Sequence, residues 1–215
     1  MKVLVVGASR GTGAQVVAEL AGRGHEVTGF ARTRPEVPVA GVRYVAGDVS
    51  DAGAVAKAMV GQEAVVVTLG IPDNPFRVRL TRRASSALDV RSAGTAHVLA
   101  AMADLGVRRL LVQTTYGIGE TYRELPLALK LFFTLGIRPQ VRDHELQEAA
   151  VRASGTDWTI VRPVVLHDGD EPEPAVVDTA DRAVSMRVSR RQVARVHADL
   201  LEQEAHVHTA VTVAA

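Results

Sequence analysis

A doubly wound α/β fold, in which helices cover both faces of a parallel sheet, is predicted by three features of the sequence. Strand-like and helix-like segments alternate through five strands. Ala64-Val65-Val66-Val67 is apolar at every position, as a strand is when both of its faces are covered. Near the start, Lys2-Val3-Leu4-Val5-Val6 runs into Gly7, Gly11 and Gly13, and then into a segment whose Val16, Val17 and Leu20 repeat at helical spacing.

That junction reads as strand, tight turn and helix. Glycines let backbone approach a ligand closely, and the first free N–H groups of the helix face an anion, with the positive end of the helix dipole behind them. A pyrophosphate is the usual guest, and a plain β-to-α turn is the alternative. The candidate cradle is Gly7, Ser9, Arg10, Gly11, Thr12 and Gly13.

Bulk composition limits the function classes. The 215 residues are enough for one sizeable core, so a single domain over 1–215 is expected. Charges nearly balance at +1, and no basic block with interleaved aromatics occurs, which argues against nucleic acid and acidic membranes as partners. Cysteine is absent, which excludes disulfides, thiolate catalysis and cysteine metal sites. The apolar run after Met1 stops at Gly7, short of a secretory hydrophobic region, and no stretch has membrane-spanning length. A cytoplasmic protein is expected, as a monomer or small homo-oligomer, since no coiled coil or long apolar extension is present.

Taken in order, a second strand, 26–32, ends in a basic loop. The acidic residue that binds a ribose 2′-hydroxyl in NAD sites belongs about 20 residues beyond the glycines, and it is missing. Arg32 and Arg34 stand there instead, with Arg10 in the glycine turn, and guanidinium groups suit a 2′-phosphate. NADP(H) is therefore preferred over NAD(H), although surface arginines are common in a chain with only three lysines. A third strand over 42–48 places Asp48 and Val49 at a ligand-facing edge. There Asp48 either accepts from an adenine amino group or shares in a helix cap with Ser50 or Asp51. After a helix over 52–60, a fourth strand, 63–70, ends in Leu69-Gly70, where backbone would pass close to a cofactor. Residues 71–82, broken by two prolines, are expected to form a substrate rim, followed by a helix from Ser85 to Leu105. The fifth strand, 109–113, ends in Thr114-Thr115-Tyr116.

Together with Gly47-Asp48, Thr68-Leu69-Gly70, Gly106-Val107-Arg108-Arg109 and Ser154 to Pro163, the glycine turn resembles that of an atypical short-chain dehydrogenase/reductase with a Rossmann fold. Within that superfamily the chain is most similar to the small NAD(P)H-binding group that includes biliverdin IXβ/flavin reductases. The resemblance covers nearly the whole chain and implies hydride transfer from nicotinamide to a small conjugated acceptor. It also places Pro163, Val164 and Val165 beside the nicotinamide.

The superfamily's usual Tyr-x-x-x-Lys pair is absent: Glu120 stands four places after Tyr116, and Pro126 four places after Tyr122. Candidate catalytic groups are Thr114 and Thr115, where the family puts its strand-five hydroxyl, and Tyr116, a phenol able to donate a proton or stack. His144 is the fourth candidate, because the related reductases carry an Asp-His pair near the start of this helix, here expected over 140–153. Each also has a purely structural reading. Arg10 stands where that group usually places its middle glycine, which makes it the sharpest single predictor of cofactor choice.

A strand is expected over 158–162, followed by an acidic, proline-rich loop over 167–178 whose carboxylates lack calcium-loop spacing. A strand over 184–188, a helix over 190–202 and a last strand over 209–213 complete a small C-terminal elaboration on the substrate side. His206 and His208 would share one face of that last strand, a poor metal site without a third ligand. No metal is expected.

Overall fold

The computed structural model describes residues 1–70 and 89–215 of the chain. The expected rim loop, 71–82, and the start of the helix expected from Ser85 lie outside the described residues.

The main sheet is built from β1 (Lys2–Val6), β2 (Glu26–Ala31), β3 (Arg43–Ala46), β4 (Ala64–Val67), β5 (Arg109–Gln113), β6 (Asp157–Pro163), β8 (Val176–Asp178) and β10 (Thr209–Ala214). Their order is β3-β2-β1-β4-β5-β6-β10-β8, and only the β10–β8 pair is antiparallel. A separate ribbon pairs β7 (Val165–His167) in parallel with β9 (Arg187–Ser189). The doubly wound parallel sheet expected from the sequence is therefore present.

Strand alternation sends successive side chains of β1 to opposite faces. Val3 and Val5 join Val16, Val17 and Leu20 of α1 (Gly11–Gly22) and Val193 and Leu201 of α6 (Arg190–Glu202). Leu4 and Val6 join Met59 of α2 (Ala52–Met59), Val98 and Met102 of α3 (Val90–Leu105) and Trp158. All these residues except Trp158 are completely buried. At about 1.5–3 kcal/mol for each fully buried large aliphatic side chain, this two-sided core dominates the stability of the domain. It explains why β4 contains no polar residue.

The helix ends show how local chemistry sets the boundaries. Asp51 caps α2 by accepting from the Ala54 N–H at 3.1 Å. Asp143, on α5 (Arg138–Arg152), caps α3 from a neighbouring helix. Its carboxylate accepts from the backbone of Arg91 at 3.2 Å and from the backbone and hydroxyl of Ser92 at 2.9 and 2.6 Å. Gly106, at φ +71°, ends α3 in the left-handed conformation. Ser189 and Gln192 form a reciprocal capping box at the start of α6.

Three expectations need correction. The first helix starts at Gly11, because the glycine turn itself supplies its first residues. The acidic loop over 167–178 is interrupted by β8, which pairs with the last strand. His206 and His208 do not lie on that strand: both have positive φ in the turn before it, and the His208 ring bonds the Thr156 carbonyl oxygen at 3.1 Å. Besides β7 and β8, a 3₁₀ segment (Gly119–Glu124) and α4 (Leu127–Leu135) had no counterpart in the sequence reading. The α4 sequence LALKLFFTL is apolar on nearly every side, so periodicity alone does not separate an inner from an outer face.

Candidate functional site

At the carboxyl ends of the strands, a cleft of about 430 Å³ extends across the β1–β4 junction, where the winding of the sheet reverses. Gly7, Ser9, Arg10, Gly11 and Thr12 line it from the first turn, and Phe30, Ala31, Arg32 and Thr33 from the end of β2. Gly47, Asp48 and Val49 line it beyond β3, and Thr68, Leu69 and Gly70 beyond β4. Gln113, Val90, Leu166 and Arg190 complete the wall.

The three glycines of the turn act differently. Gly7 has φ +94°, and a Cβ there would lie 2.7 Å from the Thr68 carbonyl oxygen. A Cβ on Gly13 would run into the Gly7 carbonyl and come within 2.5 Å of the Thr68 hydroxyl. These two glycines bring the start of α1 against the strand ends. Gly13 does so from behind the turn and does not line the cleft. Gly11, at φ +57°, has only the Arg190 Nε near it, 3.8 Å from the position of an added Cβ, among the described residues. The first turn of α1 has no acidic residue, and Arg10 at its N-cap makes no side-chain capping bond. Such an end, with glycines that keep side chains out of the way, suits an anion.

On the other side of the cleft, Asp48 and Asp51 hold different partners. Asp51 is the cap of α2, while Asp48 Oδ1 accepts from the Ser50 backbone at 2.9 Å and the Ser50 hydroxyl at 2.8 Å. These two bonds, with the nearby charge of Arg32, hold the Asp48 carboxyl below its ordinary pKa, so it is an anion at neutral pH. Val49 fits closely because Gly94 of α3 lies against it: a Cβ on Gly94 would come within 2.7 Å of both Val49 methyls.

The expected catalytic groups are not brought into the cleft. The Thr114 hydroxyl is buried and donates to Glu148 Oε1 at 2.8 Å. Thr115 donates to the Tyr116 carbonyl at 3.2 Å. Tyr116 is buried in the core beside α4 and α6, and its hydroxyl donates to the Asp181 carbonyl at 3.3 Å. Burial, followed by the charges of Glu124, Asp181 and Asp178, raises its pKa and makes it a weaker proton donor. His144 is also buried, its Nδ1 3.3 Å from Gln147 Oε1. Burial, and then the charge of Arg91, push it down to about 3, so it is neutral and turned inward rather than open to a substrate mouth.

Thr114 is held by a larger network. Arg162, only 1% exposed, contacts Glu148 at 2.5 Å, Glu120 at 2.6 Å and Asp181 at 3.2 Å. Burial pulls the Arg162 pKa down, but hydrogen bonds and charge from Glu148 and Glu120 more than offset this and raise it. The network fastens β6, α5, the 3₁₀ segment and the loop around Asp181 together beneath the ends of β5 and β6.

The residues expected beside the nicotinamide lie outside the cleft lining. Pro163 and Val164 are buried in the fold and Val165 is 54% exposed, but none of them lines the cleft; Leu166 does. Arg34 is exposed and also outside the lining. Sequence reasoning missed Gln113, whose Oε1 is buried without a hydrogen-bond partner among the described residues, and Arg190. Gln113 was recoverable, since it ends β5 just before the expected threonine. Arg190 carried no local signal. The acidic loop is bound to α6 by arginines: Arg190 to Asp168 at 2.8 Å, Arg191 to Asp170, and Arg195 to the Glu171 carbonyl. Among the described residues there is no acidic or histidine cluster fit for a metal ion.

Strand order, switch-point cleft and glycine cradle together define a Rossmann-fold nucleotide-binding protein. Residues 7–204 match the model of a family described as NAD(P)H-binding, and the chain belongs to that family.

Among solved structures, a Rossmann-fold NAD(P)-binding family protein from Shigella flexneri is 26% identical, with TM-score 0.73 over 99% of this chain and 92% of that one. A wide-type short-chain dehydrogenase/reductase from Veillonella parvula DSM 2008, in complex with NADP, is 19% identical, with TM-score 0.78 over 100% and 94%. An anaerobillin reductase from Escherichia coli O157:H7 is 22% identical, with TM-score 0.76 over 100% and 97%. Among curated proteins, an uncharacterized protein of Mycobacterium tuberculosis is 33% identical over 111 residues, 52% of this chain and 12% of that protein. The match thus spans about an eighth of that relative's length.

Proposed function

We propose that the protein is an NADPH-dependent reductase acting on a small conjugated acceptor such as a flavin, quinone, tetrapyrrole or enone. The observation that carries this reading is the cleft itself: an uncapped helix start on a glycine turn, with Arg10 and Arg32 on the wall and Gln113 and Leu166 farther along it. In this reading the backbone N–H groups of the turn hold the pyrophosphate, and Arg10 and Arg32 hold the 2′-phosphate. Asp48 and Val49 border the adenine, and Leu166 and the unpartnered Gln113 carbonyl border the nicotinamide. Bound NADPH supplies the hydride. The chain's part is orientation and exclusion of water, with the proton drawn from solvent, because Thr114, Tyr116 and His144 are committed elsewhere.

That same commitment favours a second reading, a non-catalytic NADP(H) sensor. Mixing the protein with NADPH and a panel of flavins, quinones and enones, and following nicotinamide absorbance, separates the two. Acceptor-dependent oxidation is expected. Tight NADPH binding with no oxidation across the panel would favour the sensor. Cofactor choice is tested by Arg10→Ala and Arg32→Ala, which are expected to weaken NADPH more than NADH.

A further inference from the structure

We propose that Arg190 is a phosphate ligand of the dinucleotide, and that Asp168 is a built-in competitor which occupies it until the cofactor arrives. The inference rests on the reading of the cleft as a dinucleotide site.

Three observations carry it. Arg190 is the first residue of α6, placed there by the Ser189 capping box, and its side chain lines the cleft. The guanidinium end reaches over the glycine turn: its Nε lies 3.8 Å from where a Cβ on Gly11 would stand, and no other heavy atom of the described residues comes within 4 Å of that position. It is thus aimed at the place where the N–H groups of α1 converge, the position for the diphosphate shared by NADH and NADPH. Arg32, by contrast, follows β2 and adjoins the charge of Asp48.

The carboxylate that now holds Arg190 is poorly anchored. Asp168 meets it at 2.8 Å, yet the Asp168 side chain is 91% exposed, so water solvates that carboxylate well when Arg190 leaves it. An exposed ion pair stabilises little, because water screens the attraction and solvates both groups when they part. A diphosphate seated on a helix N-terminus offers the same guanidinium two parallel hydrogen bonds and more charge. Exchange of Asp168 for phosphate is therefore downhill. Arg191 and Arg195, which stay paired with Asp170 and with the Glu171 and Glu173 carbonyls, keep the loop docked while Arg190 swings.

The test is titration of the full chain with NADPH and with NADH, read by calorimetry or nicotinamide fluorescence, for wild type, Arg190→Gln, Arg190→Lys and Asp168→Asn. Arg190→Gln is expected to weaken both cofactors by the same factor, roughly tenfold to a hundredfold, the range for a lost charge-assisted hydrogen bond. Arg190→Lys should recover part of that loss. Asp168→Asn, a change at an exposed site, should tighten both by a few-fold as the competitor is removed. If wild type binds neither cofactor, the dinucleotide reading itself falls. If wild type binds and Arg190→Gln leaves both affinities within about twofold, or weakens NADPH alone, the assignment of Arg190 to the diphosphate is wrong. If Asp168→Asn weakens binding, the competitor role is wrong.

Discussion

Two buried histidines make the fold sensitive to mild acid. His144 and His197 are both pushed down to about 3 from an ordinary 6.5, His197 by burial alone and His144 by burial with help from Arg91. The unfolded chain takes up a proton at each site as pH falls through 6.5, and the folded chain does not until about 3, so stability is lost over that window. Between about pH 7.5 and pH 5, each histidine withdraws about 2 kcal/mol, or about 4 kcal/mol together. That is a large part of a typical 5–15 kcal/mol. His197 isolates the effect. It is completely buried, and neither ring nitrogen finds a hydrogen-bond partner among the described residues. His197→Met removes its share of the pH dependence and a buried unpaired N–H, so stability near pH 7.5 should hold or rise. Urea unfolding followed by circular dichroism measures both quantities. The variant should lose about 2 kcal/mol over the interval where wild type loses about 4. Equal losses in the two proteins would show that His197 is protonated in the native state and refute the reasoning.

Two further perturbations test the site's frame. Gly13→Ala drives a methyl against the Gly7 carbonyl, so α1 must back away; a stability loss of about 1–3 kcal/mol is expected, with weaker cofactor binding. Gly22→Ala in the same helix meets open space and should be neutral or stabilising, which a comparison of melting temperatures checks. Glu148→Leu removes the closest partner of Arg162 and should cost about 3–5 kcal/mol, while adding Arg162→Met should return part of that in a double-mutant cycle of unfolding free energies.

The fold was legible because its signals are local. The apolar strand over 64–67, the glycine turn and the α6 boundaries follow from residues adjacent in sequence. Half of the cleft wall was legible for the same reason, since strand ends in a parallel sheet collect on one edge. The partners of Thr114, Tyr116 and His144 were not, because these groups bond to residues that their own local sequence does not point to. Glu148 claims Thr114, Asp181 claims Tyr116, and the packing of α3 on α5 encloses His144. One clue was available in α5, where Asp143, His144, Gln147, Glu148 and Val151 recur at helical spacing and form its buried face. Its polar composition concealed it. Arg190 was invisible for a different reason: the β7–β9 pairing and the packing of α6 on α1, both distant in sequence, bring it to the cleft.

That small ribbon sets the tolerance of the site to change. Its register, Leu166 opposite Val188 and His167 opposite Ser189, places Leu166 in the cleft and starts α6 one residue later with Arg190. A slip of one residue would exchange Leu166 for the outward Val165 and withdraw the arginine in the same step. Insertions between Asp168 and Met186 that spare β8 and Asp181, by contrast, would leave both positions where they are. Those stretches can therefore change in length and charge, reshaping the edge of the cleft beside Leu166, without rebuilding the glycine turn.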